Sequence, residues 1–227
     1  MLSSLLTVAQ TSAPMYNGGS GLTTQPPERV APPPSQQDGG MLEFVLFLDR
    51  ELSRWLCVSA RPRRPVTKLA CLLLEWSGHG VLWFAICGLL FLLYLLTSDP
   101  SHLSLAWNVL VLLGVDIVAV APLKLYFKRS RPPTNSGTIA LSVSSVDKYA
   151  FPSGHASRAV ALAIYFTLSR FLPPLVWAGW AVLVCLSRVV GGRHHLLDVL
   201  VGAGAGLAVF ETSRYLGLLT LSLSSHH

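Results

Sequence analysis

The chain has 227 residues, of which 52% are hydrophobic and only 12% charged, with a mean hydropathy of +0.53 and a formal net charge of +6. A soluble domain carries about a quarter charged residues, so composition excludes a soluble globule, and the length suggests one membrane domain. Nucleic-acid binding needs a solvated basic face with exposed aromatics; here the aromatics lie inside the apolar runs, so no nucleic-acid partner is expected. Cys57, Cys71, Cys87 and Cys185 are scattered without a CxxC pair, which favours buried free thiols over a disulfide framework or a zinc site.

In chain order, residues 1–40 ("…APPPSQQDGG") are rich in Ser, Gly, Pro, Gln and Thr and read as a disordered N-terminal tail. Their opening, "MLSSLLTVAQTSA", lacks the basic start of a signal peptide, so no cleavage is expected. Residues 41–58 have a helical pattern but carry Glu43, Asp49, Arg50, Glu51 and Arg54, which suits a helix lying at the interface. "RPRRP" at 61–65 breaks it. A spanning helix needs roughly 20 mostly apolar residues. Candidates follow at 79–97, with 66–77 leading in, at 103–125, at 155–171, at 174–190 after the Pro173-Pro174 turn, and at 196–217. Asp116 alone interrupts the second. The expected fold is an all-α, multi-pass membrane helix bundle of about five spanning helices plus an interfacial helix. Gly202 and Gly206 are spaced for close helix contact, and packing within the chain is favoured over dimerisation. Residues 220–227 form a short polar tail.

Polar residues break the apolar pattern at the end of the second run, the start of the third, and the joint between the fourth and fifth. Two crossings separate the two joints, so all three clusters can share one face of the bundle. In "KLYFKRSRP", Lys124 and Arg131 are seven apart, about two helical turns, and can share a helix face. Lys128 and Arg129 read as headgroup anchors. In "FPSGHASRA", Ser153 can cap the following helix, and Gly154 lets backbone N–H groups approach a ligand. The free N–H groups of that helix start form an anion site with His155 at its edge. Ser77-Gly78-His79 repeats "SGH" without the proline and nearby basic residues, and reads as a helix-packing feature.

In "SRVVGGRHHLLD", Arg188 closes the fourth run and Gly191-Gly192 allows a tight turn. His194 stands at i,i+4 from Asp198 and His195 at i,i+3; spacing favours neither. An aspartate paired to a histidine fixes its tautomer and leaves the other nitrogen free to attack. A metal at His194, His195, Asp198 and His155 would be repelled by Lys124, Arg131 and Arg188, and hard or borderline cations prefer carboxylate-rich pockets. Three cations and a helix N-terminus facing one point instead make an oxyanion site. The chemistry that fits is phosphoryl transfer without metal, with histidine as nucleophile.

These residues, as "KxxxxxxRP" (Lys124 with Arg131-Pro132), "PSGH" (Pro152 to His155) and "SRxxxxxHxxxD" (Ser187-Arg188, His194, Asp198), resemble the three-part signature of the type 2 phosphatidic acid phosphatase superfamily. The resemblance covers about 41–217, within a phosphatase domain set at 41–219. "LSVSSVDKYAFPSGHASRA" and "EWSGHG" are most similar to the presqualene diphosphate and polyisoprenoid diphosphate phosphatase branch. The resemblance implies that His194 attacks the phosphorus, Asp198 orients it and His155 protonates the leaving oxygen. It implies that Lys124, Arg131, Ser153, Gly154 and Arg188 hold the phosphate. His195 is then a neighbour turned towards headgroups or a helix contact. No metal and no cofactor is implied, and the partner is a lipid phosphate substrate in the membrane of the endoplasmic reticulum or nuclear envelope. Lys148 is a possible contact for a second phosphate.

Two other readings use the same residues: a catalytically silent membrane scaffold on this fold, which a lost motif residue would favour, and a transporter lined by the charges. With 41–58 flat, the N-terminus and the site share a side, and Arg61, Arg63, Arg64, Lys68, Lys128, Arg129 and Arg193 would put that side in the cytosol. With 41–58 spanning, the site faces the lumen.

Overall fold

Proline, serine and aspartate set the helix limits in a computed structural model that describes residues 40–57, 65–133 and 148–220. The helices are α1 (Gly40–Leu56), α2 (Pro65–Ser77), α3 (Gly80–Thr97), α4 (Pro100–Phe127), α5 (Gly154–Leu168), α6 (Pro174–Val190) and α7 (Leu196–Tyr215). The described residues are all-helical, as composition and pattern require. The His79 ring accepts the Val81 N–H at the start of α3, and Asp99 accepts the Ser101 N–H with Pro100 in the first turn of α4. Each relieves a donor that a helix start would otherwise leave unpaired. The tail before residue 40, most of "RPRRP", the segment 134–147 and the residues after 220 lie outside the described residues.

Three of the five expected spans, α3, α4 and α7, are long and apolar enough to cross a membrane, and α6 is a shorter apolar helix. With 15 residues, α5 is about 22 Å long at 1.5 Å per residue. It lies at the bundle centre, where buried Ala156, Ala159, Ala161 and Ala163 let neighbours close in. Helices in lipid gain little from hydrophobicity and depend on close packing and polar contacts. A Cβ on Gly202 would meet the Ser153 carbonyl at 2.5 Å, and one on Gly206 would collide with the Ser157 carbonyl. The glycine pair therefore serves packing of α7 on α5 within the chain.

Polar contacts pin the same core. Asp116 of α4, the interruption in the second run, accepts from Ser157 Oγ and from Arg158 Nη2 at 3.0 Å. Arg158 also donates to the Gly78 carbonyl at 3.1 Å, tying α4 and α5 to the α2–α3 joint. Breaking one partner of such a buried ion pair costs about 3–5 kcal/mol. Towards the other end, Trp83, Leu112, Leu113, Leu162, Phe166 and Phe210 form the main apolar cluster, with Phe166 stacked on Trp177 at 4.4 Å. None of the four cysteines is in a disulfide; Cys57 and Cys87 are buried, Cys71 and Cys185 half-buried.

The amphipathic α1 docks at the start of α7. Phe44, Leu48, Leu52 and Trp55 face outwards, while Asp49 and Ser53, four residues apart on one face, are buried. That exposed apolar face suits an interfacial helix, but Asp49 points into the protein, not to headgroups.

Candidate active site

The three polar clusters converge at the end of the bundle where α4 finishes and α5 and α7 begin. A short strap, residues 148–152, connects them through its backbone. Lys124 Nζ donates to the Tyr149 carbonyl at 2.8 Å, His194 Nδ1 donates to the Ala150 carbonyl at 2.8 Å, and the Ala150 N–H donates to the Arg129 carbonyl at 2.8 Å. The Ser153 N–H donates to the Asp198 carbonyl at 2.9 Å, which fixes the start of α5 against the start of α7. No residue-type pattern marks Tyr149 and Ala150 as important, because their carbonyls make these contacts.

His194 is buried between α6 and α7, and Arg188 and Arg131 stand close enough to act on its ring. Burial is the chief reason its pKa falls to about 3, with Arg188 adding to the fall and Asp198 opposing it. The ring is therefore neutral across the physiological range. With Nδ1–H committed to Ala150, the lone pair is on Nε2.

Asp198 lies 3.8 Å from His194 Nδ1, beyond hydrogen-bond reach. Its own oxygens are held elsewhere: Oδ2 accepts the His195 N–H at 2.8 Å and Oδ1 accepts from Arg129 at 2.7 Å. Spacing left two histidines equivalent; the structure separates them. His195 is the residue before α7, buried, with Nδ1 3.4 Å from Asp198 Oδ2. Of the alternatives offered by the sequence it makes a helix contact and does not face headgroups.

At the start of α5, Ser153 occupies the cap position but its hydroxyl makes no capping bond, which corrects the capping role expected of it. Ser153 Oγ, His155 Nε2 and Arg188 Nε are buried and have no hydrogen-bond partner among the described residues. An unmet buried polar atom costs about 1–3 kcal/mol, and oxygens of a phosphate are suitable partners for all three. Around Gly154 there is room: among the described residues a Cβ there would meet only Val120 Cγ1, at 3.8 Å. Packing does not require that glycine. Lys148 is exposed at the head of the strap, its Nζ 5.0 Å from the Tyr149 ring centre.

Residues to which sequence reasoning assigned no part in the site lie against it. Arg129 is not a headgroup anchor; it bridges buried Asp49 and Asp198. Glu75, on α2, is ion-paired to Arg188 and Arg193, each at 3.4 Å. Arg193 is buried too, so neither it nor Arg129 is a free surface charge of the kind that marks membrane sidedness. His79, of the second "SGH", packs edge-on against His155 with ring centres 5.6 Å apart. Among the described residues, no group of three or more His, Cys, Asp or Glu side chains is arranged to hold a metal ion.

A family profile described as the PAP2 superfamily matches residues 105–217. The chain is 33% identical over 193 residues to the probable lipid phosphate phosphatase beta of Arabidopsis thaliana, covering 72% of this chain and 85% of that protein. It is 31% identical over 111 residues to mouse (Mus musculus) sphingosine-1-phosphate phosphatase 1, a match to 42% of this chain and 26% of the relative. Among solved structures, the PAP2 type phosphatidylglycerolphosphate phosphatase from Bacillus subtilis superposes with a TM-score of 0.60 at 21% identity, over 79% of this chain and 89% of that one.

Proposed function

The chain belongs to the PAP2 superfamily, and we propose that it is a membrane phosphatase that removes phosphate from a lipid through a phosphohistidine on His194. One observation carries the proposal: a buried neutral imidazole, its Nδ1–H held by the Ala150 carbonyl, stands beside Arg131 and Arg188. A nucleophile with its lone pair fixed on Nε2 and a cationic cradle beside it is what metal-free phosphoryl transfer requires.

In the proposed reaction His194 Nε2 bonds to phosphorus as the bond from phosphorus to the lipid oxygen breaks. His155 gives a proton to that oxygen, and the lipid alcohol or lipid monophosphate departs. A water then attacks the phosphohistidine, His155 takes one of its protons, the N–P bond breaks and inorganic phosphate leaves. Lys124, Arg131, Arg188, Ser153 Oγ and the N–H groups at the start of α5 hold the non-bridging oxygens throughout. These side-chain cations supply the positive charge, so the proposal includes independence from metal and from any cofactor. Asp198, near the ring but not bonded to it, stabilises the positive charge that the imidazole gains on attack.

The finer proposal is an isoprenoid diphosphate substrate, presqualene or polyisoprenoid, with Lys148 reaching a second phosphate. Its support is the place of Lys148, exposed and two residues from the carbonyl that holds His194. The domain is taken as 41–219, with tails on either side.

Phosphate release by detergent-purified protein in excess chelator tests the reading, comparing farnesyl or presqualene diphosphate with phosphatidate. His194→Ala is expected to abolish turnover, and His195→Ala to keep most of it, because the bond from the backbone N–H of residue 195 to Asp198 survives the substitution. Turnover that vanishes with chelator overturns the metal-free mechanism. Lys148→Ala is expected to weaken diphosphate hydrolysis more than monophosphate hydrolysis; equal loss on both removes the second-phosphate contact.

A further inference from the structure

We infer that Asp49, on the interfacial helix α1, is a positioning residue for the reaction, acting on Asp198 through Arg129; the inference rests on the phosphohistidine reading of His194. Asp49 touches no reacting group. Its influence runs through one guanidinium. Arg129 Nη2 binds Asp49 Oδ2 while Nη1 binds Asp198 Oδ1 at 2.7 Å, so a single arginine spans two buried carboxylates.

The same face of α1 completes the start of α7. The Leu197 N–H donates to Asp49 Oδ1 at 2.8 Å, and the Leu196 N–H donates to Ser53 Oγ at 2.8 Å. The next donor of that helix start, the His195 N–H, goes to Asp198 itself. Side chains from two helices thus satisfy three N–H groups that a helix start leaves open. Asp198 is fixed from one side by its own helix and from the other by the Asp49–Arg129 pair.

The distance from Asp198 to His194 gives this arrangement its consequence. At 3.8 Å from Nδ1, the carboxylate stabilises a developing imidazolium without competing for the Nδ1 proton that Ala150 holds. That stabilisation depends on how far the Asp198 charge is neutralised by Arg129, so an Arg129 no longer shared with Asp49 weakens it and slows the attack. This does not alter the groups that hold the phosphate. Loss of Asp49 should therefore appear in kcat and not in KM.

The test uses the full chain in detergent, with phosphate release resolved into kcat and KM and thermal stability measured in parallel. Asp49→Asn keeps an oxygen for the Leu197 N–H and removes the charge that Arg129 pairs with. The expected result is a fall in kcat of about 10-fold or more with KM changed less than about two-fold. Arg129→Lys should behave alike, since a lysine cannot bridge both carboxylates. The double variant should be no worse than the poorer single one, because the two residues act in series. Ser53→Ala, which removes only the other α1 contact to α7, should lower stability and leave kcat unchanged.

Full kcat in Asp49→Asn overturns the inference. So does additivity with Arg129→Lys, or a loss of kcat in Ser53→Ala that follows its loss of stability as in Asp49→Asn. If Asp49→Asn does not fold, Arg129→Lys decides alone: unchanged kcat there overturns the inference. A wild-type protein that releases no phosphate from any lipid phosphate removes the phosphohistidine reading instead.

Discussion

The tripeptide Ser-Gly-His occurs twice, at 77–79 and at 153–155, and the two copies sit against each other with entirely different work to do. In the first, the polar groups of Ser77 and the ring of His79 are committed to packing and capping. Ser77 Oγ bonds the Leu74 carbonyl at 3.0 Å and accepts from Trp180 Nε1 at 3.0 Å, its carbonyl takes Trp83 Nε1 at 2.9 Å, and His79 caps α3. A Cβ on Gly78 would stand 3.1 Å from Val184 and 3.3 Å from His155. In the second copy, Ser153 Oγ and His155 Nε2 have no hydrogen-bond partner among the described residues, and Gly154 has space beside it. Identical residues thus make a tightly satisfied joint in one place and an unsatisfied cradle in the other. The identity of a motif residue says less about its role than whether its polar atoms are already in use.

The histidines give the sharpest way to break this contrast. His155→Ala removes the proposed proton donor and should lower kcat by about 10²–10⁴-fold, the usual range for a general acid. His79→Ala removes a helix cap and a ring contact, worth about 1 kcal/mol of stability, and should leave kcat within about 10-fold of wild type. Turnover numbers and melting temperatures of both variants decide it. A larger fall in kcat at His79 than at His155 would reverse the assignment of the two copies.

The helices and the three clusters were legible in the sequence because each is a local signal. Long apolar runs closed by proline or by charge place α3, α4, α6 and α7 within a few residues. The motif residues Lys124, Arg131, Ser153, His155, Arg188, His194 and Asp198 lie at the predicted helix ends. What was not legible is long-range or carried by backbone. Arg129 next to Lys128 looks like one more anchor, and its partners Asp49, 80 residues before it, and Asp198, 69 residues after it, distinguish them. Glu75 gives no sign of meeting Arg193, 118 residues on. The Ala150 carbonyl that holds His194 has no residue-type signature at all. One signal was present: Asp49 and Ser53 stand four residues apart on one face of the amphipathic helix α1, the spacing needed to cap another helix.

The glycines come next in expected size. Gly154→Ala adds a methyl group where the protein has room but the proposed phosphate oxygens approach the helix start. The variant should melt within about 2 °C of wild type, yet lose roughly 10- to 100-fold in kcat/KM, the scale of one or two lost charge-assisted contacts. Gly78→Ala should behave in the opposite sense. Its methyl presses on Val184 and on the His155 ring, an overpacking that costs about 1–3 kcal/mol. Stability should fall first, and activity only as far as His155 is displaced. Wild-type kcat/KM in Gly154→Ala would mean that nothing approaches that helix start closely.

The serines should give the smallest effects and the cleanest separation. Ser77→Ala strands the Trp180 N–H without an acceptor, at a cost of about 1–3 kcal/mol, so its melting temperature should drop while kcat holds. Ser153→Ala removes a hydroxyl that no group among the described residues uses. Taking away a buried, unmatched polar atom is neutral or slightly stabilising, so its melting temperature should hold or rise. Its kcat/KM should fall by about 10-fold, the value of a single hydrogen bond to a charged oxygen. Opposite signs in stability from the same substitution, in the same tripeptide, are hard to obtain unless one serine serves the fold and the other serves a ligand. A stability loss at Ser153 matching that at Ser77 would place both hydroxyls in the fold and remove Ser153 from the phosphate cradle.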